Sequence, residues 1–153
     1  MILPYINYCN IVWAANYPTN LEKLIILQKR IVRIITGSGR IDHNSLLFKS
    51  LNILKVPDII ILQTSLFMYK LSKNLVPMQF SSYFVDLSSD IHDHYTRSYQ
   101  KYHTQSIKTN VRKFSIKIRG PNSVYNNLPY YIKEVSSIRR CKMLLNTFLL
   151  GKD

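Results

Sequence analysis

The chain has few acidic residues, few glycines and few cysteines. Its 153 residues include eight Asp and Glu against 21 Lys and Arg, which gives a formal net charge of +13. Four glycines argue against a β-barrel that needs glycine at its bends. Cys9 and Cys141 lie near opposite ends of the chain, so they do not form a disulfide framework. We predict that both are buried and behave as small hydrophobic residues.

Long apolar runs are also missing. None approaches the length of about 18 residues that a membrane span needs. The apolar residues 1–15 contain no Lys or Arg, which makes them a poor secretory signal. We therefore expect an intracellular protein, nuclear or cytoplasmic, that has no membrane as a partner.

The chain does contain enough apolar sequence for a core, since 46% of its residues are hydrophobic. Its length is that of one ordinary domain. We predict a single domain over residues 1–153, with a helical half at 1–77, a long loop at 78–110, and a strand, a turn and a C-terminal helix at 111–153.

The first two helices are predicted from breakers and apolar spacing. One begins with Pro4 and runs to about Ala15, with an apolar face of Tyr5, Tyr8, Cys9, Val12 and Trp13. The next opens with a capping box of Thr19 and Glu22 and ends at Gly37. The side opposite its apolar face carries Glu22, Ile26, Lys29, Arg30 and Arg33.

Three further helices complete the helical prediction. Asp42 or Asn44 can cap a short one, and Pro57 can open another that ends near Asn74. This fourth helix is apolar on nearly all sides, which is typical of a central position. Ser137 can cap a last helix with the inward residues Ile138, Cys141, Leu144, Leu145, Phe148 and Leu149.

The remaining segment predicts a strand. Phe114, Ile116 and Ile118 alternate with Lys113, Ser115, Lys117 and Arg119, so one face is apolar and the other basic. Residues 81–110 lack a helical period and predict a long ordered loop. The expected fold class is mainly α, with about five helices and a small β-ribbon in the second half.

The positive charge is concentrated. Residues 94–133 contain eight Lys and Arg and no Asp or Glu. Such a block repels itself, and a polyanion such as a phosphate backbone relieves the repulsion. An ordinary basic surface and an anionic membrane surface are the alternatives, and nucleic acid is favoured over both. The candidate nucleic-acid contacts are Lys29, Arg33, Arg97, Lys101, Lys113, Lys117, Arg119, Arg139 and Arg140.

No residue pattern indicates catalysis. The chain has no glycine-rich phosphate loop and none of the common hydrolase motifs. It also has no adjacent aspartates of the kind that two-metal nucleotidyl transfer uses. We predict no catalytic residue, no metal and no cofactor.

Two loop clusters leave alternatives open. His92, His94 and His103 could hold zinc with a fourth ligand from Cys9, Cys141 or His43, but imidazoles that hydrogen-bond loop carbonyls are the favoured explanation. Tyr95, Tyr99 and Tyr102 interleave with Arg97 and Lys101, which suits stacking on unpaired bases, whereas most tyrosines of a domain lie at the edge of its core.

Nine short strings follow one another along the chain and form one pattern through their order and spacing. They occupy residues 7–13, 17–21, 27–35, 57–59, 67–69, 91–97, 109–116, 120–121 and 127–129. Together they resemble the region downstream of the reverse transcriptase palm in jockey-like non-LTR retrotransposons, from about Tyr5 to Leu150. The family usually has Trp-Asn-Ser-Leu-Pro near its end, whereas Tyr125-Asn126-Asn127-Leu128-Pro129 stands here.

The resemblance implies a non-catalytic, thumb-and-beyond segment of an RNA-directed DNA polymerase. In that family the metal-binding aspartates belong to a palm domain upstream. The implied partners are that palm and the RNA and DNA backbone of the template–primer duplex, gripped without reading sequence. A helical protein-interaction body and an inactive remnant of a degenerate retroelement reading frame are the alternatives.

Overall fold

The computed structural model describes residues 3–39, 42–81, 83–84, 102–103 and 107–152. Over these ranges the protein is mainly helical, which confirms the predicted α-rich class, and they contain no β-strand. The candidate residues Arg97 and Lys101, with His92, His94, Tyr95 and Tyr99, lie outside the described ranges.

Ten α-helices and one π-helical segment follow one another in this part of the chain. They are α1 (Leu3–Asn7), α2 (Asn10–Trp13), α3 (Pro18–Thr36), α4 (Asn44–Ser50), α5 (Val56–Ser72), α6 (Met78–Ser81), α7 (Asn110–Phe114), α8 (Ile116–Arg119), the π-helical segment Gly120–Tyr125, α9 (Tyr130–Lys133) and α10 (Ile138–Leu150).

These elements form two compact units. Unit 1 comprises Met1–Gln63 with Lys142–Asp153, and unit 2 comprises Thr64–Cys141, so the boundary falls inside α5 and α10. The single domain expected from chain length stays a prediction.

The core of unit 1 gathers apolar residues from its helices, and α3 packs on α4. The Gln28 side chain of α3 binds the chain just before α5: its Nε2 donates to the Leu54 carbonyl oxygen and its Oε1 accepts from the Val56 amide, both at 2.8 Å. This pair of bonds fixes α3 against the start of α5. The buried hydrophobic side chains of unit 1 are Ile6, Ala14, Val32, Phe48, Leu54, Val56, Ile59, Ile60, Leu62, Leu145 and Leu149.

The predicted helix from Pro4 to about Ala15 is wrong in its continuity and in its face. Cys9 has a left-handed backbone with φ 47° and separates α1 from α2. Ile6, Asn10 and Ala14 are the buried residues, whereas Tyr5, Tyr8 and Val12 are exposed. Cys9 is exposed too, whereas Cys141 is buried. The prediction that both cysteines are buried is therefore confirmed for Cys141 and wrong for Cys9.

Helix α3 begins one step before the predicted capping box. Pro18 occupies its first turn behind an extended Tyr17, and no side chain caps this end. Proline is favoured there because its φ suits a helix start and its missing N–H would be unpaired anyway. Thr19 is therefore inside the helix instead of capping it.

Helices α5 and α10 follow the sequence prediction closely. Helix α5 is buried on most of its sides, through residues that include Ile59, Leu66 and Met68. On α10, Cys141, Leu145 and Leu149 are buried as predicted, at the spacing of one helix face. Leu144 and Phe148 are half-buried, and the prediction that Ile138 points inward is wrong, since this residue is exposed.

The predicted strand at residues 113–119 is helical, and this is the main correction to the fold. Ser115 has extended dihedral angles and separates α7 from α8, and its carbonyl oxygen accepts from the amides of Ile118 and Arg119. A strand needs a neighbouring strand to pair its backbone, and the described residues supply none. Phe114 on α7 is half-buried and Ile118 on α8 is buried, so two short helices also cover these apolar side chains.

Unit 2 holds residues 102–103 through the string Tyr125-Asn126. The Asn126 side chain pairs with both backbone groups of Tyr102, its Oδ1 accepting from the amide and its Nδ2 donating to the carbonyl oxygen, each at 3.1 Å. The Tyr102 and Tyr125 rings meet edge to face with centroids 5.3 Å apart. Tyr102 is therefore a core residue, not an exposed base-stacking ring.

Candidate nucleic-acid interface

A groove of about 850 Å³ runs along the C-terminal half of α3 in unit 1. Its lining from α3 comes from positions three or four apart, so the residues share one face of the helix. The described residues that line it are Ile26, Lys29, Arg30, Arg33, Ile34, Gly37, Ser38 and Asn44.

A tight turn after α3 builds the end of this groove. Gly37 has φ 63°, and the amides of Gly37 and Ser38 donate to the carbonyl oxygens of Ile34 and Arg33. This is a Schellman motif, in which glycine adopts the left-handed conformation without a Cβ penalty. The Ser38 hydroxyl lies 2.7 Å from the Thr36 hydroxyl. The turn brings Ser38 to the groove, where Asn44 at the start of α4 joins the lining.

The groove is cationic. Lys29, Arg30 and Arg33 all line it, and no Asp or Glu is among its described lining residues. Lys29 and Arg33 are one turn apart, where like charges repel by a few tenths of a kcal/mol, roughly 0.2–0.5. Arg33 lies in the last turn of α3, where the helix dipole favours a cation.

Two buried polar atoms of the groove residues lack a hydrogen-bond partner. They are the Nε nitrogen of Arg33, which is a donor, and the Oδ1 oxygen of Asn44, which is an acceptor. A buried polar group left unpaired costs about 1–3 kcal/mol, and such groups are unusual in folded proteins. Both atoms have almost no accessible surface, so a ligand in the groove pairs them only if the two side chains turn toward it.

The basic residues predicted to share one face of a strand, Lys113, Lys117 and Arg119, lie on two short helices of unit 2. Lys113 on α7 is exposed, whereas Lys117 on α8 is half-buried with its ammonium 4.6 Å from the centroid of the Tyr83 ring. Arg119 is half-buried, and this burial lowers the pKa of its guanidinium. Of these three residues, Lys113 is the most accessible to a phosphate.

Arg139 and Arg140 are exposed in the first turn of α10. They are second and third in that helix, at the end where the dipole disfavours cations. An anion from another molecule would offset that cost.

The structure thus gathers two of the predicted contacts, Lys29 and Arg33, into one groove, and adds Arg30 to them. The sequence spacing already places Arg30 on the same side of the helix as these two residues, and the same spacing identifies Ile34 as a neighbour. Nothing in the sequence pattern signals Ser38 or Asn44, because a turn and a second helix bring them there.

In the ranges the structure describes, no group of three or more His, Cys, Asp or Glu is placed to hold a metal ion, and His103 is half-buried. The zinc hypothesis depends on His92 and His94, which lie outside those ranges. No helix of the described chain is both long and apolar enough to cross a membrane.

Comparisons of this chain with family models, curated proteins and solved structures give no match.

Proposed function

We propose that this chain binds the sugar-phosphate backbone of nucleic acids without catalysing a reaction, as the C-terminal module of a retrotransposon RNA-directed DNA polymerase. The α3 groove carries the proposal, because three cations converge on one concave surface that has no carboxylate in its described lining. Positive charge focused in a cleft attracts polyanions and releases their counterions.

The groove suits binding without sequence preference. Lys and Arg contacts to phosphates position a nucleic acid and carry no sequence information. Arg33 can contact phosphate oxygens in pairs through its planar guanidinium, whereas Lys29 acts as a point charge. A polymerase segment that holds any template needs this kind of contact.

The link to a polymerase rests on the sequence resemblance. One of the resembling strings, residues 27–35, supplies Lys29, Arg30, Arg33 and Ile34 of the groove. Sequencing the transcript upstream of this chain tests the link: an adjoining palm with its metal-binding aspartates supports it, and an unrelated reading frame contradicts it.

A salt titration tests backbone binding. Fluorescence anisotropy gives the affinity for an oligouridine strand and for an RNA–DNA duplex at rising KCl. Lys29→Gln should reduce the salt slope by about 0.7–0.9 on both probes, which corresponds to one lost phosphate contact. Lys23→Gln is the matched control, because Lys23 is exposed on the same helix and does not line the groove.

Two outcomes would oppose the proposal. Affinity that does not fall with salt would mean that phosphates are not contacted. Equal slopes for the Lys29→Gln and Lys23→Gln variants would mean that net charge, and not the groove, determines binding.

Exposed aromatic residues favour a second candidate function, a protein-interaction body. Tyr5 and Tyr8 are 82% and 76% exposed, and Val12 next to them in unit 1 is 74% exposed. Light scattering without nucleic acid tests this candidate. Dimers that Tyr5→Ser abolishes would support it, and a monomer at all concentrations would count against self-association.

A further inference from the structure

We infer that the α3 groove takes unpaired nucleotides, so that the chain binds single-stranded nucleic acid more tightly than duplex. This inference rests on the proposed function and narrows its ligand. It depends on two features of the groove that an unpaired nucleotide matches better than a duplex backbone does.

The first feature is the apolar part of the lining. Ile34 is 79% exposed and Ile26 is 47% exposed, and both lie among the cations of the groove. A duplex stacks its bases inside and presents phosphates and sugars, which leaves these isoleucines without an apolar partner. An unpaired base offers a flat apolar face beside its own phosphate. Cations and isoleucines at one place therefore suit an unpaired nucleotide.

The second feature is the unpaired Oδ1 acceptor of Asn44. Phosphate oxygens only accept hydrogen bonds, so a phosphate can pair the Arg33 Nε donor but not this oxygen. The donor must come from a base edge or from a ribose 2′-hydroxyl, and the hydroxyl is present in single strands and in RNA-containing duplexes alike. Watson–Crick base edges distinguish the two ligands, because they are accessible in a single strand and are occupied by pairing in a duplex.

The groove also has the right capacity. Its volume of about 850 Å³ falls within the range of about 300–1,000 Å³ that is common for small-ligand sites. A nucleotide can enter it from the open side while its neighbours in the strand follow the surface of α3.

The test compares two isoleucines on the same helix. Ile34→Ser should weaken binding of an oligouridine strand by about threefold to tenfold, since the base loses its apolar contact, and should leave duplex affinity unchanged. Ile35→Ser is the control, because Ile35 is 61% exposed and does not line the groove. Both side chains are exposed, so neither change should alter the thermal midpoint by more than about a degree or two.

The possible results separate this inference from the proposed function. Loss of oligouridine affinity for the Ile34→Ser variant alone supports the inference. Wild-type protein that binds duplex as tightly as oligouridine, or an Ile34→Ser variant that binds oligouridine normally, overturns it. Backbone binding would still stand in either case if the Lys29→Gln variant showed its reduced salt slope.

Discussion

The Gln28 side chain is expected to contribute more to the stability of the fold than its polar character suggests. Gln28→Ala removes two hydrogen bonds of 2.8 Å and leaves the Leu54 carbonyl and the Val56 amide without their side-chain partner. Both residues are buried. Two unpaired groups at about 1–3 kcal/mol each cost about 2–6 kcal/mol, and alanine returns a few tenths through its helix propensity, so we expect a net loss of about 2–5 kcal/mol.

Urea unfolding followed by far-UV circular dichroism measures this loss. The thermal midpoint should also fall by about 4–20 °C, at about 2–4 °C per kcal/mol for a chain of this size. Gln63→Ala is the matched control: Gln63 is also in a helix and donates one hydrogen bond of 3.2 Å to the exposed Asn7 side chain, so it should cost less than about 0.5 kcal/mol. Equal losses for the two variants would refute the assignment of Gln28 as the residue that fixes α3 to α5.

Two further predictions concern unit 2. Gly120→Ala should destabilise the protein by about 1–2 kcal/mol in urea unfolding, because a Cβ at this position would lie 2.9 Å from the buried Met68 sulfur. Gly39→Ala is the control and should be neutral, because its Cβ would lie 3.8 Å from the Asp42 carboxylate. Burial raises the pKa of Tyr102 from 10.0 to about 12. The stability from its neutral phenol is therefore complete below pH 10 and is lost as the pH rises to about 12, so that the wild type should lose more stability over this interval than Tyr102→Phe.

The long helices could be predicted because their apolar residues are numerous and periodic. Helix α5 is apolar on most sides and α10 has a clear inward face, and a pattern sustained over several turns leaves few other ways to bury the same residues. The end of α3 at Gly37 was also predictable, since the left-handed conformation there favours glycine.

The short segments could not be predicted, because each pattern was compatible with two structures. Phe114, Ile116 and Ile118 alternate as in a strand, but two short helices that break at Ser115 cover the same side chains. A strand would need a partner strand, and the described chain contains none. The left-handed Cys9 has no sequence signal at all, because cysteine gains nothing from that conformation.

The sequence predicts the charged residues of the α3 groove but not the rest of its lining. The charges of Lys29, Arg30 and Arg33 on one helix face follow from their spacing alone. The depth of the groove and the unpaired Asn44 oxygen depend on how the chain turns after Gly37 and how α4 packs on α3. Those are tertiary contacts, which no local pattern encodes.

The most direct test of the account is a nuclear magnetic resonance titration of isotopically labelled protein with oligouridine at low salt. The account predicts shifts of the Arg33 Nε–H signal, the Asn44 side-chain amide and the backbone amides of residues 26–38, each saturating with the affinity measured by anisotropy. Saturated binding that leaves the Arg33 and Asn44 signals unchanged would contradict the claim that the α3 groove is the nucleic-acid site.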